Sequence, residues 1–328
     1  MLSNLTHHRI LVTGGAGFIG SNLCEDLLAH DNEVVCLDNF STGRRENLAG
    51  FIDHPRFTLI EGDIRDAEAC RRSVEGVQLV LHEAALGSVP RSIHDPVTTN
   101  AVNVGGFLNM LVAARDAGVA RFVYAASSST YGDSENLPKV EEVIGRPLSP
   151  YAVTKYVNEL YAHVFAMHYG LETIGLRYFN VFGRRQDPNG AYAAAIPKFV
   201  LALMDHRSPH IHGDGTSSRD FTYIDNVIAM NHRAATTANP DALNQVFNTA
   251  TGERCDLNRM TALMKLYLSA HDPAIAAIPN EYGPLRKGDI PHSLASVEKA
   301  KRILGYEPIV RFEEGLKRTV EWYVKSLK

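Results

Sequence analysis

With 45% apolar and 21% charged residues over 328 positions, the chain can bury a core far larger than that of a domain of about 100 residues, in one large domain or two closely joined ones. Its 33 Lys and Arg are interspersed with 37 Asp and Glu, and no basic block could neutralise many phosphates, so nucleic acid is excluded as a partner. Cys24, Cys36, Cys70 and Cys255 lie far apart with no C-x-x-C spacing, no apolar leader precedes the first strand pattern, and no uninterrupted apolar run approaches the roughly 20 residues that span a bilayer; a cytoplasmic setting without a membrane role is expected.

Six short β-branched runs follow one another in the first half: "RILVT" (9–13), "EVVCLD" (33–38), "FTLIEG" (57–62), "VQLVLH" (77–82), "RFVYAAS" (121–127) and "ETIGLR" (172–177). Helix-like segments separate them, which predicts an α/β fold with a buried, doubly wound parallel sheet and right-handed crossovers. After the fourth run, "LGSVPRSIHDP" (86–96) shows neither strand alternation nor helical spacing, and is expected to be an irregular loop at the ligand-binding edge. Helices are expected at about 98–117, with Val104, Leu108 and Leu111 on one stripe, and at 151–169, with Val153, Val157, Leu160 and Val164 on another. From Tyr178 the pattern changes to Gly-, Pro-, Asn- and Asp-rich stretches, read as loops and short strands of a smaller C-terminal lobe. The expected division is therefore 1–177 and 178–328, with the chain crossing between the two. The tail places Leu316, Val320 and Tyr323 at helical spacing.

Directly after the first strand, "TGGAGFIGSNL" sets Gly14, Gly17 and Gly20 in a G-x-x-G-x-x-G pattern. Glycines permit a tight turn and close approach of the backbone to a pyrophosphate, and the helix that follows offers free N–H groups. Asp38 ends the second strand, where a carboxylate accepts hydrogen bonds from an adenosine ribose and repels a 2′-phosphate. A dinucleotide is thus predicted, NAD in preference to NADP. Asp63 and Ile64 in "GDIRD" are candidates for adenine contact, with a helix N-cap as the other reading of Asp63.

Tyr151 and Lys155 in "SPYAVTK" stand four apart, on one face of a helix. A lysine ammonium beside a phenol favours phenolate and lowers its pKa, so the tyrosine can exchange a proton with a sugar hydroxyl. The strand ending "ASSSTYG" supplies Ser127, Ser128 and Ser129 to orient that hydroxyl; a serine run is otherwise turn and cap chemistry.

These motifs, with "DNFSTG", "LRYFNVFGRRQDPNGAYAAAIPKF", "GDGTSSRDFTYIDN" and "RKGDIPHS", resemble the extended short-chain dehydrogenase/reductase family. Within it they are similar to the nucleotide-sugar 4-epimerases, above all the UDP-N-acetylglucosamine 4-epimerases of bacterial polysaccharide pathways. The resemblance covers essentially the whole chain and implies a Rossmann-like NAD domain with a UDP-sugar lobe. It makes Tyr151 the acid and base, Lys155 its partner and Ser127 the catalytic serine, with Ser128 a rival. Phe18, Ile19, Asn39, Ser41, Thr42, Gly43, Ala84, Ala85, Asn103 and Tyr178 fall where the family contacts NAD. Asn180, Arg219, Arg286 and Asp289 fall where it holds UDP, and guanidinium groups suit a diphosphate. Gly87, Ser88, Ser129, Gln186, Ala194 and Ser293 match positions around the sugar, where small side chains admit an acetamido group at C2.

The expected reaction is interconversion of UDP-GlcNAc and UDP-GalNAc, and of UDP-Glc and UDP-Gal, through a transient 4-keto sugar. Elimination is disfavoured because "SSSTYG" lacks the acidic residue of the related dehydratases and decarboxylases. Arg91 keeps a second reading open, a UDP-hexuronic acid 4-epimerase, since an arginine beside the sugar can bind a carboxylate; a dehydratase or reductase is a third. No metal is expected. The family also implies a homodimer in which the two long helices of each chain form a four-helix bundle.

Overall fold

The computed structural model describes residues 5–189, 193–284 and 291–327. The six expected strands form as β1 (Arg9–Thr13), β2 (Glu33–Asp38), β3 (Phe57–Glu61), β4 (Leu79–His82), β5 (Arg121–Ser127) and β6 (Glu172–Tyr178). β1, β2, β5 and β6 are buried at every residue but the first, as a parallel sheet covered on both faces requires. A seventh strand, β7 (Gln245–Thr249), completes a fully parallel sheet of order β7-β6-β5-β4-β1-β2-β3. β7 was not expected from its sequence: Gln245 and Asn248 dilute its apolar signal, and the chain returns to the sheet only after residues 179–244.

Side chains alternate along the strands into two cores. Ile10, Val12, Val34 and Cys36 face one, and Leu11, Val35, Leu37 and Val80 the other. α1 (Phe18–Ala29) covers the first face, while α2 (Ala67–Ser73) lies on the second. The stretch read as an irregular loop contains α3 (Val89–His94), because Ser88 caps it by accepting from the Arg91 N–H at 3.1 Å and Pro90 sits in its first turn. That capping signal outweighs the absent periodicity.

A continuous helical run follows: α4 (Pro96–Asn100), a π-helical segment (Ala101–Gly106) and α5 (Phe107–Asp116). By length and composition Pro96–Asp116 is the one helix among the described residues apolar enough to cross a membrane, but Phe107, Met110, Leu111 and Ala114 are buried in the second core. α6 (Pro150–Tyr169) packs beside it, capped by Ser149, which accepts from the Ala152 N–H at 3.1 Å.

The later part of the chain adds α7 (Ala195–Met204), α8 (Ile224–Thr236), α9 (Leu257–Ser269), α10 (Glu298–Leu304) and α11 (Phe312–Ser326), with pairs of short strands between them. α8 packs on α1, so the two parts of the chain share the first core. Leu316, Val320 and Tyr323 of α11 are buried there, as their spacing predicts.

Candidate active site

Strand order reverses between β1 and β4, and ligands of open α/β sheets bind outside the carboxyl ends of the strands at such a point. The register brings Thr13 opposite both Leu37 and His82, so Gly14, Asp38 and Glu83 emerge together. They border a cleft of ≈ 880 Å³ along this edge.

At its floor Gly14 takes φ +69°, and a Cβ there would stand 2.9 Å from the Ala84 backbone. A Cβ on Gly20 would meet the Gly14 carbonyl oxygen at 2.2 Å. Among the described residues no side chain caps α1 at Gly17, so the N–H groups of its first turn are left for a bound anion. Asp38 is 7% exposed and accepts from the N–H groups of Ala16 (2.9 Å) and Phe40 (2.7 Å); burial nevertheless raises its carboxyl above the usual range. Phe18, Ile19, Asn39, Ser41, Thr42 and Gly43 line the same end. These residues fit a dinucleotide: a glycine cradle with no room for side chains, an uncapped helix start and a fixed carboxylate at the ribose position.

Asp63 and Ile64 also line the cleft, and the cap reading of Asp63 is excluded because Asp66 caps α2, accepting from the Glu68 N–H at 2.9 Å. Asp63 instead binds Arg65 and accepts from Asn39 Nδ2 at 2.8 Å, and chiefly through Arg65 its carboxyl is held down at about 2.

Across the cleft β5 ends at Ser127, opposite Tyr178 in register, and α6 begins with Tyr151 and Lys155 one turn apart. Of the three serines Ser127 is the one whose hydroxyl favours ionisation of the Tyr151 phenol, and its Oγ accepts from the Ser129 hydroxyl at 2.8 Å. Ser128 lies on the cleft wall beside it. Lys155, 3% exposed, donates to the Ala125 carbonyl at 2.7 Å, and burial pulls its ammonium down to about 8 against the pull of Glu83 and Glu159. The Tyr151 phenol is raised rather than lowered: burial dominates, the Ser127 hydroxyl opposes it and Glu83 adds to it.

Ala84, Ala85, Gly87, Ser88, Arg91, Tyr178, Asn180, Gln186 and Ala194 complete the expected cleft wall. Asn180, Gln186 and Ala194 also border an adjoining cavity of ≈ 280 Å³, which Arg219 lines with His210 and His212. Arg219 Nη1 donates to the carbonyls of Ser218 (3.0 Å) and Pro291 (3.1 Å). Gln186 Oε1 is buried without a hydrogen-bond partner among the described residues.

Three expected residues act from behind the walls. Asn103, in the π-helical segment, accepts from the Leu86 N–H at 2.8 Å and donates to Thr154, tying the cleft loop to α6. Ser129 reaches the site only through Ser127, and the Ser293 N–H binds the Ser218 carbonyl at 3.0 Å next to Arg219. Arg286 and Asp289 lie outside the described residues.

Glu83 is a site residue that sequence reasoning passed over, although its place at the carboxyl end of β4 was a usable signal. Its carboxylate accepts from the Tyr178 hydroxyl at 2.7 Å, and Asn231 Nδ2 donates to that hydroxyl at 2.9 Å. Burial raises Glu83 to about 7, with Tyr178 and Lys155 opposing.

Fold and cleft together define a dinucleotide-binding α/β protein. The chain belongs to the NAD-dependent epimerase/dehydratase family, whose model matches residues 10–250. The UDP-glucose 4-epimerase of Mycolicibacterium smegmatis is 36% identical over 96% of this chain and 98% of its own. The structure of the UDP-N-acetylglucosamine 4-epimerase of Methanobrevibacter ruminantium, solved with UDP-N-acetylmuramic acid, superposes with TM-score 0.91 at 37% identity, covering 98% of this chain and 99% of that one. That of the UDP-glucuronic acid 4-epimerase of Bacillus cereus, solved with UDP-glucuronic acid and NAD, gives 0.88 at 28% identity, covering 98% and 100%.

Proposed function

We propose that the protein is a UDP-sugar 4-epimerase that interconverts UDP-GlcNAc and UDP-GalNAc, and accepts UDP-glucose and UDP-galactose in the same site. The observation that carries the reaction type is that Tyr151, Lys155 and Ser127 line the same cofactor cleft, with Lys155 one helical turn from Tyr151. The Gly14–Gly20 turn, Asp38 and the cleft wall up to Tyr178 would hold NAD, which when bound would supply the hydride acceptor and donor for the sugar's C4.

Tyr151 takes the O4 proton and later returns it, and Ser127 holds both the phenol and the substrate hydroxyl. Lys155 supplies the positive field that offsets the cost of ionising a buried phenol. The 4-keto sugar turns about its diphosphate linkage while Arg219 keeps hold of the diphosphate, so the opposite face can be reduced. The turn Ser128–Tyr131 carries no carboxylate, which supports epimerisation over elimination.

Room for an acetamido group is supported by small residues: a Cβ at Gly87 would meet nothing within 4 Å among the described residues, and Ala194 borders both cavities. Arg91, on the cleft wall near Gly87, supports the second reading, a uronate substrate. The deciding measurement is NMR of the purified protein with UDP-GlcNAc, UDP-glucose, UDP-GlcA and UDP-GlcNAcA in separate tubes. The C4 epimer of UDP-GlcNAc should form fastest; preference for the uronates would shift the assignment to the Arg91 reading, and no epimer from any would refute the function. Ser293→Tyr should slow UDP-GlcNAc far more than UDP-glucose, and equal losses would sink the pocket assignment. Tyr151→Phe should lose about 10²- to 10⁴-fold in rate while still binding NAD.

A homodimer through the long helices is part of the proposal. It is supported by the apolar face of α6, whose Val153, Leu160, Val164 and Met167 are exposed in the single chain instead of packed on its own sheet. A reducing, cytoplasmic setting is supported by four cysteines that are all buried and free.

A further inference from the structure

α1 starts at the cofactor cleft and runs roughly 18 Å back along the sheet to His30. There Asp26 and His30, at its C-terminal end, meet His232 of α8. One ring nitrogen of each histidine and one carboxylate oxygen of Asp26 lie within 4.8 Å of one another. His232 is 3% exposed, and its Nε2 stands 2.6 Å from Asp26 Oδ2. Yet both atoms are buried and neither has a hydrogen-bond partner of acceptable geometry among the described residues, so the imidazole nitrogen is not directed at the oxygen it touches. His30 Nδ1 lies 3.4 Å from the same Oδ2 and 2.8 Å from the Asp26 carbonyl oxygen, and the two imidazoles meet edge to face with centroids 5.4 Å apart.

Two buried polar atoms in contact without a mutual hydrogen bond are costly unless something else satisfies both. A cation on their shared side does so, and it also relieves the close approach. In a tetrahedral site with metal–ligand bonds near 2.0–2.1 Å, ligand atoms stand about 3.3 Å apart. The observed separations bracket that value. Two imidazoles and one carboxylate form a donor set for zinc and its neighbours among the divalent transition metals rather than for calcium or magnesium. The half-exposed His30 side gives an entry path and leaves a fourth position for water.

We propose that Asp26, His30 and His232 bind one divalent transition-metal ion of the zinc class, and that this ion clamps α1 to α8 away from the catalytic edge. The clamp joins the helix that begins at the phosphate-binding turn to the one carrying Asn231, which is next to His232 and donates to the Tyr178 hydroxyl. Its role is structural: no ligand of the site lines the cleft.

The test uses untagged full-length protein stripped with chelator, then titrated with Co²⁺, followed by visible absorption, and with Zn²⁺, followed by calorimetry and thermal midpoint. One ion per chain should bind with the intense visible bands of a four-coordinate cobalt centre, and Zn²⁺ should raise the midpoint. His30→Ala removes a half-exposed ligand and leaves the core intact. It should weaken binding by more than the roughly 10- to 100-fold typical of losing an outer-shell partner, and abolish the midpoint shift. His232→Leu should do the same. The neighbouring pair His210 and His212, with ring centroids 4.9 Å apart, is the competing donor set, so His210→Ala/His212→Ala should bind as wild type does. No saturable binding, binding undiminished in His30→Ala, or loss that follows His210 and His212 would each overturn the proposal.

Discussion

Behind the active site lies an ion pair whose removal has a calculable cost. Arg177 of β6 donates from Nε (2.9 Å) and Nη2 (2.7 Å) to the two carboxylate oxygens of Glu159, one turn beyond Lys155 on α6, and the two side chains are 4% and 7% exposed. Arg177 Nη1 also donates to the Glu141 carbonyl at 3.0 Å, and the guanidinium lies 4.8 Å from the Tyr131 ring centroid. Arg177→Met leaves the Glu159 carboxylate buried and unpaired, a loss of about 3–5 kcal/mol, and strips the Glu141 carbonyl of its donor, about 1–3 kcal/mol. Taking about 5 kcal/mol in all, the thermal midpoint should fall by about 7 °C for a chain of this size. In Arg177→Met/Glu159→Leu no charge is left uncompensated, so only the carbonyl and ring contributions remain, about 1–3 kcal/mol. Urea melts should be followed by circular dichroism and by the fluorescence of Trp322, the only tryptophan, with coincident transitions required before the two are compared. A double variant no more stable than the single one, or a single variant that loses under about 1 kcal/mol, would refute the argument from charge burial.

Gly20→Ala gains about 1 kcal/mol of helix propensity, but its Cβ would stand 2.2 Å from the Gly14 carbonyl oxygen; the expected outcome is lower stability and loss of NAD in equilibrium binding, and a stabilised, NAD-binding variant would contradict it. Asp220 is fully buried and accepts from the N–H groups of Thr251, Gly252 and Ala295, yet burial raises its carboxyl from 3.8 to about 6. A carboxyl raised on folding keeps in the native state a proton that the unfolded chain has released, so stability falls as pH rises from 3.8 to about 6 and is level above. The stability gap between wild type and Asp220→Asn, measured by urea melts, should therefore narrow across that window; a constant gap would remove Asp220 as its source. Leu160→Glu/Val164→Glu on the exposed face of α6 should yield monomers in sedimentation equilibrium, and an unchanged dimer would place the interface elsewhere.

Much was legible because it rests on local chemistry. Short buried β-branched runs can only be strands of a covered parallel sheet, and β1, β2 and β5 begin and end where their sequences predict. Gly14, Gly17 and Gly20 announce the phosphate turn, and a Cβ at Gly14 or Gly20 would run into the turn's own backbone; the four-residue spacing of Tyr151 and Lys155 fixes their shared helical face. Ser88 and Pro90 mark a helix start although the six residues that follow Ser88 are too few to show helical spacing.

What needed the tertiary structure depends on groups distant in sequence. β7 joins the sheet only because β6 offers it an edge, and its composition gives no sign of that partner. Ser127 stands out from Ser128 and Ser129 only once α6 carries Tyr151 against it. Lys155 at about 8 and Glu83 at about 7 are products of desolvation and of each other's charge, quantities that exist only after four separate elements have closed around one cleft. The sequence by itself determines which residues can do the chemistry; packing decides which of them meet, and how strongly each holds its proton.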